Sequence, residues 1–153
     1  MEAGRTVWSN YNTNNWTRRL IDDAANFRKR KRSIDHFTMQ MLTGHGVLNN
    51  YRVRIDKQTD NKWCECDASP DDAEHVLLRC PRWAIQRTTL KNMSGDTFTA
   101  HNIIALVLAN DHICRQFREF CGMVMKSMQA QEITNNRFRR RADVTARSNH
   151  RKQ

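Results

Sequence analysis

Between Lys62 and Trp83 the chain reads KWCECDASPDDAEHVLLRCPRW, and Cys64, Cys66, His75 and Cys80 within it form a Cys-x-Cys-x8-His-x4-Cys array. Thiolate and imidazole are the donors of tetrahedral zinc sites, and a closed set of three cysteines and one histidine leaves no open position for a substrate. The spacing points to one zinc ion with a structural task. Cys-x-Cys is tighter than the Cys-x2-Cys common in such sites, so the case rests on all four residues together. The alternative is ordinary buried cysteines beside a solvated histidine. It has to explain why three of the five cysteines gather among polar residues that offer no core.

Such ligands need elements to hold them. Ser69 is a good N-cap, Pro70 falls at the first helical position, Asp72 at the third has a carboxylate that reaches back, and Cys80-Pro81 stops a helix. His75 is then expected on a short helix with Cys80 at its end. The Cys64/Cys66 pair belongs on a turn alongside, with Val76 and Leu77 as the apolar face beneath the ion.

Further out, Thr13 or Asn15 starts a short helix with Trp16, Leu20 and Ile21 apolar. From Ser33 to Thr43 the residues Ile34, Phe37, Met41 and Leu42 keep helical spacing, and Gly44 supplies a stop. Val47, Leu48, Tyr51 and Ile55 mark another helix that presents Arg52, Arg54 and Lys57 on its other face; Tyr51 there either stacks on a base or packs. Ile85 to Thr97 reads as a helix end and a loop around Ser94-Gly95-Asp96. Thr99 caps a helix through Ala109, and Asp111 caps the longest one. Its Ile113, Phe117, Phe120, Cys121, Val124 and Met128 make a core stripe, on or beside which Cys114 and Cys121 act as small buried hydrophobes. Beyond Gln131 the periodicity ends. The expected fold is mainly α: a small helical domain with the zinc motif in the middle and a disordered basic tail from Thr134 to Gln153. The expected divisions are 1–57, 58–95, 96–133 and 134–153.

Charge indicates the class of partner. With 26 Lys+Arg against 16 Asp+Glu in 153 residues, the formal charge of +10 suits a polymer of phosphates. The excess is concentrated in Arg28-Lys29-Arg30-Lys31-Arg32 and in the tail, where Arg137 to Gln153 holds seven basic residues against the single acid Asp143. The first run also fits a nuclear-localisation signal or a solvated face. Candidate nucleic-acid contacts are Arg28, Lys29, Arg30, Lys31, Arg32, Arg52, Arg54, Lys62, Arg79, Arg82, Arg139, Arg140 and Arg141. Arg87 and the Trp63 and Trp83 rings join them near the zinc, unless those rings cover the metal core instead. No apolar run approaches 18 residues and no secretory pattern opens the chain, so neither a membrane span nor secretion is expected. Two-metal phosphoryl transfer needs clustered carboxylates. The acids here are scattered or serve as caps, and Leu20-Ile21-Asp22-Asp23 lacks the aromatic residue of a polymerase metal turn, so no catalytic residue is assigned.

The array resembles the C-terminal CCHC zinc motif of non-LTR (LINE-type) retrotransposon polyproteins. In those, a short Cys pair is followed by acids, here Asp71-Asp72-Ala73-Glu74, and then by His75-Val76-Leu77-Leu78-Arg79-Cys80-Pro81-Arg82-Trp83. Upstream, LTGHGVLNNYRVRI (Leu42 to Ile55) and Asn15-Trp16-Thr17-Arg18-Arg19-Leu20-Ile21 resemble blocks of the insect type-one group that inserts into ribosomal DNA. The likeness runs in order from about Trp8 to Met128. One departure is Asp67, where members often carry Gly. The resemblance implies a segment after the polymerase thumb that grips template RNA or target DNA and supports target-primed reverse transcription. It also implies an upstream reverse transcriptase and an endonuclease in the same polyprotein, and a nuclear location after cytoplasmic synthesis. A zinc-stapled architectural module, or a decayed remnant without activity, are the alternatives.

Overall fold

The computed structural model describes residues 15–21, 34–55 and 61–150. In chain order these form α1 (Trp16–Leu20), α2 (His36–Thr43), α3 (Asn49–Ile55), α4 (Ala73–Leu78), a 3-10 turn (Pro81–Trp83), α5 (Ala84–Ser94), α6 (Ile103–Ala109) and α7 (Asp111–His150). The mainly α expectation holds. Among the described residues the only β feature is an isolated antiparallel bridge between Trp63 and Pro70. The basic run Arg28 to Arg32, Lys57, and the segment before Asn15 lie outside the described residues.

The long helix α7 is the element on which α2, α5 and α6 pack. Its Ile113, Phe117, Phe120, Cys121, Val124, Met125 and Met128 are all buried, as the stripe requires, and so is Cys114. Fully burying an apolar side chain of this size contributes about 1.5–3 kcal/mol, so this seam dominates the fold. Helix α2 is fixed at its start by Asp35, whose side chain accepts from the Thr38 N–H at 2.9 Å and from Arg118 of α7 at 2.8 Å. Gly44 ends α2 in the left-handed conformation, at φ 70°. Asn15 caps α1, which hangs on the end of α2 through Trp16 Nε1 donating to the Met41 carbonyl and Thr17 Oγ1 to that of Leu42.

Several boundaries differ from expectation. Asn110, not Asp111, caps α7, its side-chain oxygen accepting from the N–H groups of His112 and Ile113. Thr99 and Asn102 exchange reciprocal side-chain bonds, so α6 turns regular only at Ile103. Ala84 to Ser94 is a full helix of 11 residues where only a helix end was expected, and Gly95 stops it in the left-handed conformation where the loop was expected. Only Leu90 of α5 is buried, and one buried position gives no periodicity to read. Ile55, expected in the core, is exposed, because α3 is held by Leu48 just before it and by Tyr51 rather than by its far end.

The larger difference is the tail. Helix α7 does not dissolve at Thr134; it continues to His150. The segment is polar, yet it holds neither Gly nor Pro and is rich in Arg, a strong helix former. It also extends a helix whose costly nucleus is already packed on the core.

Candidate metal centre

The loop that carries the first two ligands folds back on itself before any helix begins. Cys64 N–H donates to the Ser69 carbonyl at 3.0 Å, Asp71 N–H to that of Lys62 at 2.8 Å, and Asp67 N–H to that of Cys64 at 2.9 Å. Asp67 sits at φ 57°, in the left-handed region that glycine occupies most cheaply. This pairing takes Ser69 and Pro70 into the loop, so the expected cap moves three residues on. Asp72 is the N-cap of α4, accepting from His75 N–H at 2.8 Å. The signal was present in the sequence, since Asp72 stands three residues before the histidine it positions. After Leu78 the Cys80 N–H turns back to the His75 carbonyl at 2.7 Å, and Pro81 opens the 3-10 turn.

These bonds bring Cys64, Cys66, His75 and Cys80 together, their four ligand atoms all within 4.8 Å of one another. The Cys64 and Cys80 sulfurs are 3.7 Å apart, and Cys66 Sγ lies 3.1 Å from His75 Nε2. A tetrahedron with 2.3 Å metal–sulfur bonds has a sulfur–sulfur edge of about 3.8 Å, so the donor set fits a metal ion. The chemistry fits as well. Burial pushes the Cys64 thiol up to about 12 and raises that of Cys80. Burial acts the same way on Cys66, but bonds from the Ala68 backbone and the neighbouring thiols outweigh it and leave that thiol below its ordinary value. Burial lowers the basicity of His75 and favours the neutral ligand form. Buried thiols of this kind become thiolates when a cation compensates the burial.

The site is not isolated from the core, as the polar surroundings in sequence suggested. Cys64 and Cys80 are 2% and 0% exposed and belong to the same apolar cluster as Val76, Leu77, Trp83 and the α7 seam. Trp83 is buried in that cluster and its backbone N–H donates to the Cys80 carbonyl at 3.2 Å, whereas Trp63 is exposed beside Lys62. Arg87 serves the loop: its guanidinium donates to the carbonyls of Val76 and Cys80. His45 packs on the Tyr51 ring, with centroids 4.7 Å apart, and is not a member of the four-residue cluster.

The basic candidates fall into groups. Arg52, Arg82 and Arg139 line one polar cleft of about 120 Å³ with Asn49, Asn61, Gln131 and the acids Glu65, Asp71 and Glu132. Arg52 pairs with Glu132 at 2.8 Å, and Arg82 with Glu65 at 3.3 Å. Asp71 is buried at the cleft's edge, one oxygen accepting from Asn49 N–H, and burial raises its carboxyl to about 6. Arg79 pairs with Glu74, and Arg54 lies over the Tyr51 ring. Arg140 and Arg141 are exposed on the outer part of α7, remote from the ligands in sequence and on a different element. Glu74 also takes a two-pronged bond from Arg19, at 2.6 and 3.1 Å, which ties α1 to α4. Arg19 was not a sequence candidate, and nothing local marks it.

Comparison with known proteins locates the chain in a broad class. The retrovirus-related Pol polyprotein from type-1 retrotransposable element R1 4 of Nasonia vitripennis is 36% identical over 93 residues, which cover 58% of this chain and 23% of that protein. No family model matches the chain. No solved structure matches it. The chain thus spans less than a quarter of that relative, and the match supports a retrotransposon-derived region. No helix among the described residues is long and apolar enough to cross a membrane.

Proposed function

We propose that this chain is a nucleic-acid-binding segment of a retrotransposon reverse transcriptase polyprotein, working in the nucleus. It grips template RNA or target DNA for catalytic parts carried elsewhere in such a polyprotein, in support of target-primed reverse transcription. One zinc ion on Cys64, Cys66, His75 and Cys80 holds the grip in shape. The observation that carries this reading is the convergence of Arg52, Arg82 and Arg139, from three distant stretches of sequence, on one cleft walled by the metal loop. The similarity to a Pol polyprotein and the net charge of +10 agree with it.

A second reading has its own support. Arg52 and Arg82 are paired with acids of this chain, as they would be in a module whose task is to staple helices and dock on the rest of the polyprotein. Salt separates the two, because each phosphate contact releases counterions and steepens the loss of affinity with salt. The zinc-loaded chain is titrated with RNA and with DNA from low to physiological salt. The nucleic-acid reading expects a log–log slope of several units that falls when Arg28 to Arg32 are changed to Gln. Absent or salt-independent binding would favour the stapling module.

A further inference from the structure

The outer part of α7 has a sidedness that its composition hides. Residues 133–147 are all exposed, and the side bearing Asn135, Asn136 and Arg139 faces the cleft by the metal loop. Along it Arg137, Arg140, Arg141 and Arg147 recur at i, i+3, i+4 and i+10, which places all four guanidinium stems on one stripe about 120° wide. Ile133 and Val144, both exposed, fall on the same stripe. The one acid, Asp143, falls beside it, and Arg139 is turned to the other side, where it lines the cleft by the metal loop.

We propose that this stripe is a docking face for double-stranded DNA, with the outer part of α7 lying in the major groove; the proposal rests on the nucleic-acid reading above and names its substrate. Charge complementarity selects the occupant. From Arg137 to Arg147 the helix advances about 15 Å, a length over which a duplex presents about nine phosphate charges. The major groove of B-form DNA admits an α-helix, whereas that of an RNA duplex is too narrow for one. A single strand is held by successive aromatic platforms, and the residues interleaved on this stripe are the aliphatic Ile133 and Val144. Two copies of the chain meeting along the stripe would oppose four like charges.

The test uses the full zinc-loaded chain with a 20-base-pair DNA duplex, an RNA duplex of the same sequence, and the single DNA strand, each across a salt series. The wild type is expected to favour the DNA duplex. A variant with Arg137, Arg140, Arg141 and Arg147 all changed to Gln should lower its log–log salt slope by up to about 3.6, at 0.9 per contact, with helix content unchanged by circular dichroism. Ala142→Pro keeps every charge but breaks the register, and should lose most of the duplex preference. Unchanged duplex affinity and slope in the fourfold variant, unchanged preference in Ala142→Pro, or a wild type that favours the RNA duplex or the single strand would overturn this proposal while leaving the broader reading in place. Absence of binding to all three probes would overturn both. Binding only to an upstream polyprotein segment through this stripe would replace it with a protein interface.

Discussion

Gln131 Nε2 donates to Glu65 Oε2 at 2.7 Å, linking the residue between Cys64 and Cys66 of the candidate metal centre to the point where α7 leaves the core. Arg82 closes the group, reaching Gln131 Oε1 at 3.2 Å and Glu65 at 3.3 Å. The metal loop is therefore positioned relative to the exposed end of α7 through three polar side chains.

This link predicts a measurable coupling. Glu65→Ala and Gln131→Ala should be non-additive in a double-mutant cycle by about 0.5 kcal/mol, the modest size expected of a solvent-exposed contact. Chemical denaturation of the four proteins measures it. Strict additivity would mean that the contact transmits nothing.

Metal content follows from the donor set. Purified without chelator, the chain should carry one zinc ion, and Cys80→Ser should lose it. Because Cys64 and Cys80 are part of the apolar core, chelation should first disorder the stretch from Trp63 to Trp83 and expose the buried Trp83, seen as a red shift in its fluorescence. A metal-free protein with native fluorescence, or a Cys80→Ser variant with full zinc, would refute the centre.

Acid should weaken the grip of α2 on α7. Burial tends to raise the Asp35 carboxyl, but Arg118 and the Thr38 bonds outweigh it, so its folded value lies below the ordinary one. A depressed carboxylate stabilises the fold fully above its unfolded value of about 3.9 and loses that contribution as pH falls through the folded value. Asp35→Asn should flatten the acid limb of the stability curve while retaining a cap. Asp35→Ala should also lose the cap, at a cost of about 1 kcal/mol. Thermal melts between neutral pH and about pH 3 check both.

Catalysis is expected to be absent from this chain alone. Among the described residues Asp35, Asp72 and Glu74 are engaged as caps and ion partners, and no group of acids gathers there as two-metal phosphoryl transfer requires. Primer-extension and DNA-nicking assays with magnesium present should stay at background, and robust incorporation of nucleotides would require another architecture.

What was legible in the sequence was local or periodic. The four ligands announce themselves by type and spacing, and the α7 stripe from Ile113 to Met128 shows because core-facing side chains repeat with the turn of the helix. Asn15 starts α1 and Gly44 ends α2 where residue chemistry says they should, and Asp67 holds the left-handed turn. Tertiary structure decided the rest. Whether Asp72 or Ser69 capped α4 depended on backbone pairing of Lys62 with Asp71, which withdrew Ser69 into the loop. Arg82 meets Gln131, and Arg118 meets Asp35, across 49 and 83 residues, a separation that no spacing rule encodes. Cys64 and Cys80 became part of the core because tertiary packing joins them to the apolar cluster that includes the α7 stripe, which their polar neighbours in sequence do not provide. The basic tail stayed helical for the same reason, since a packed nucleus upstream had already met the cost of starting the helix.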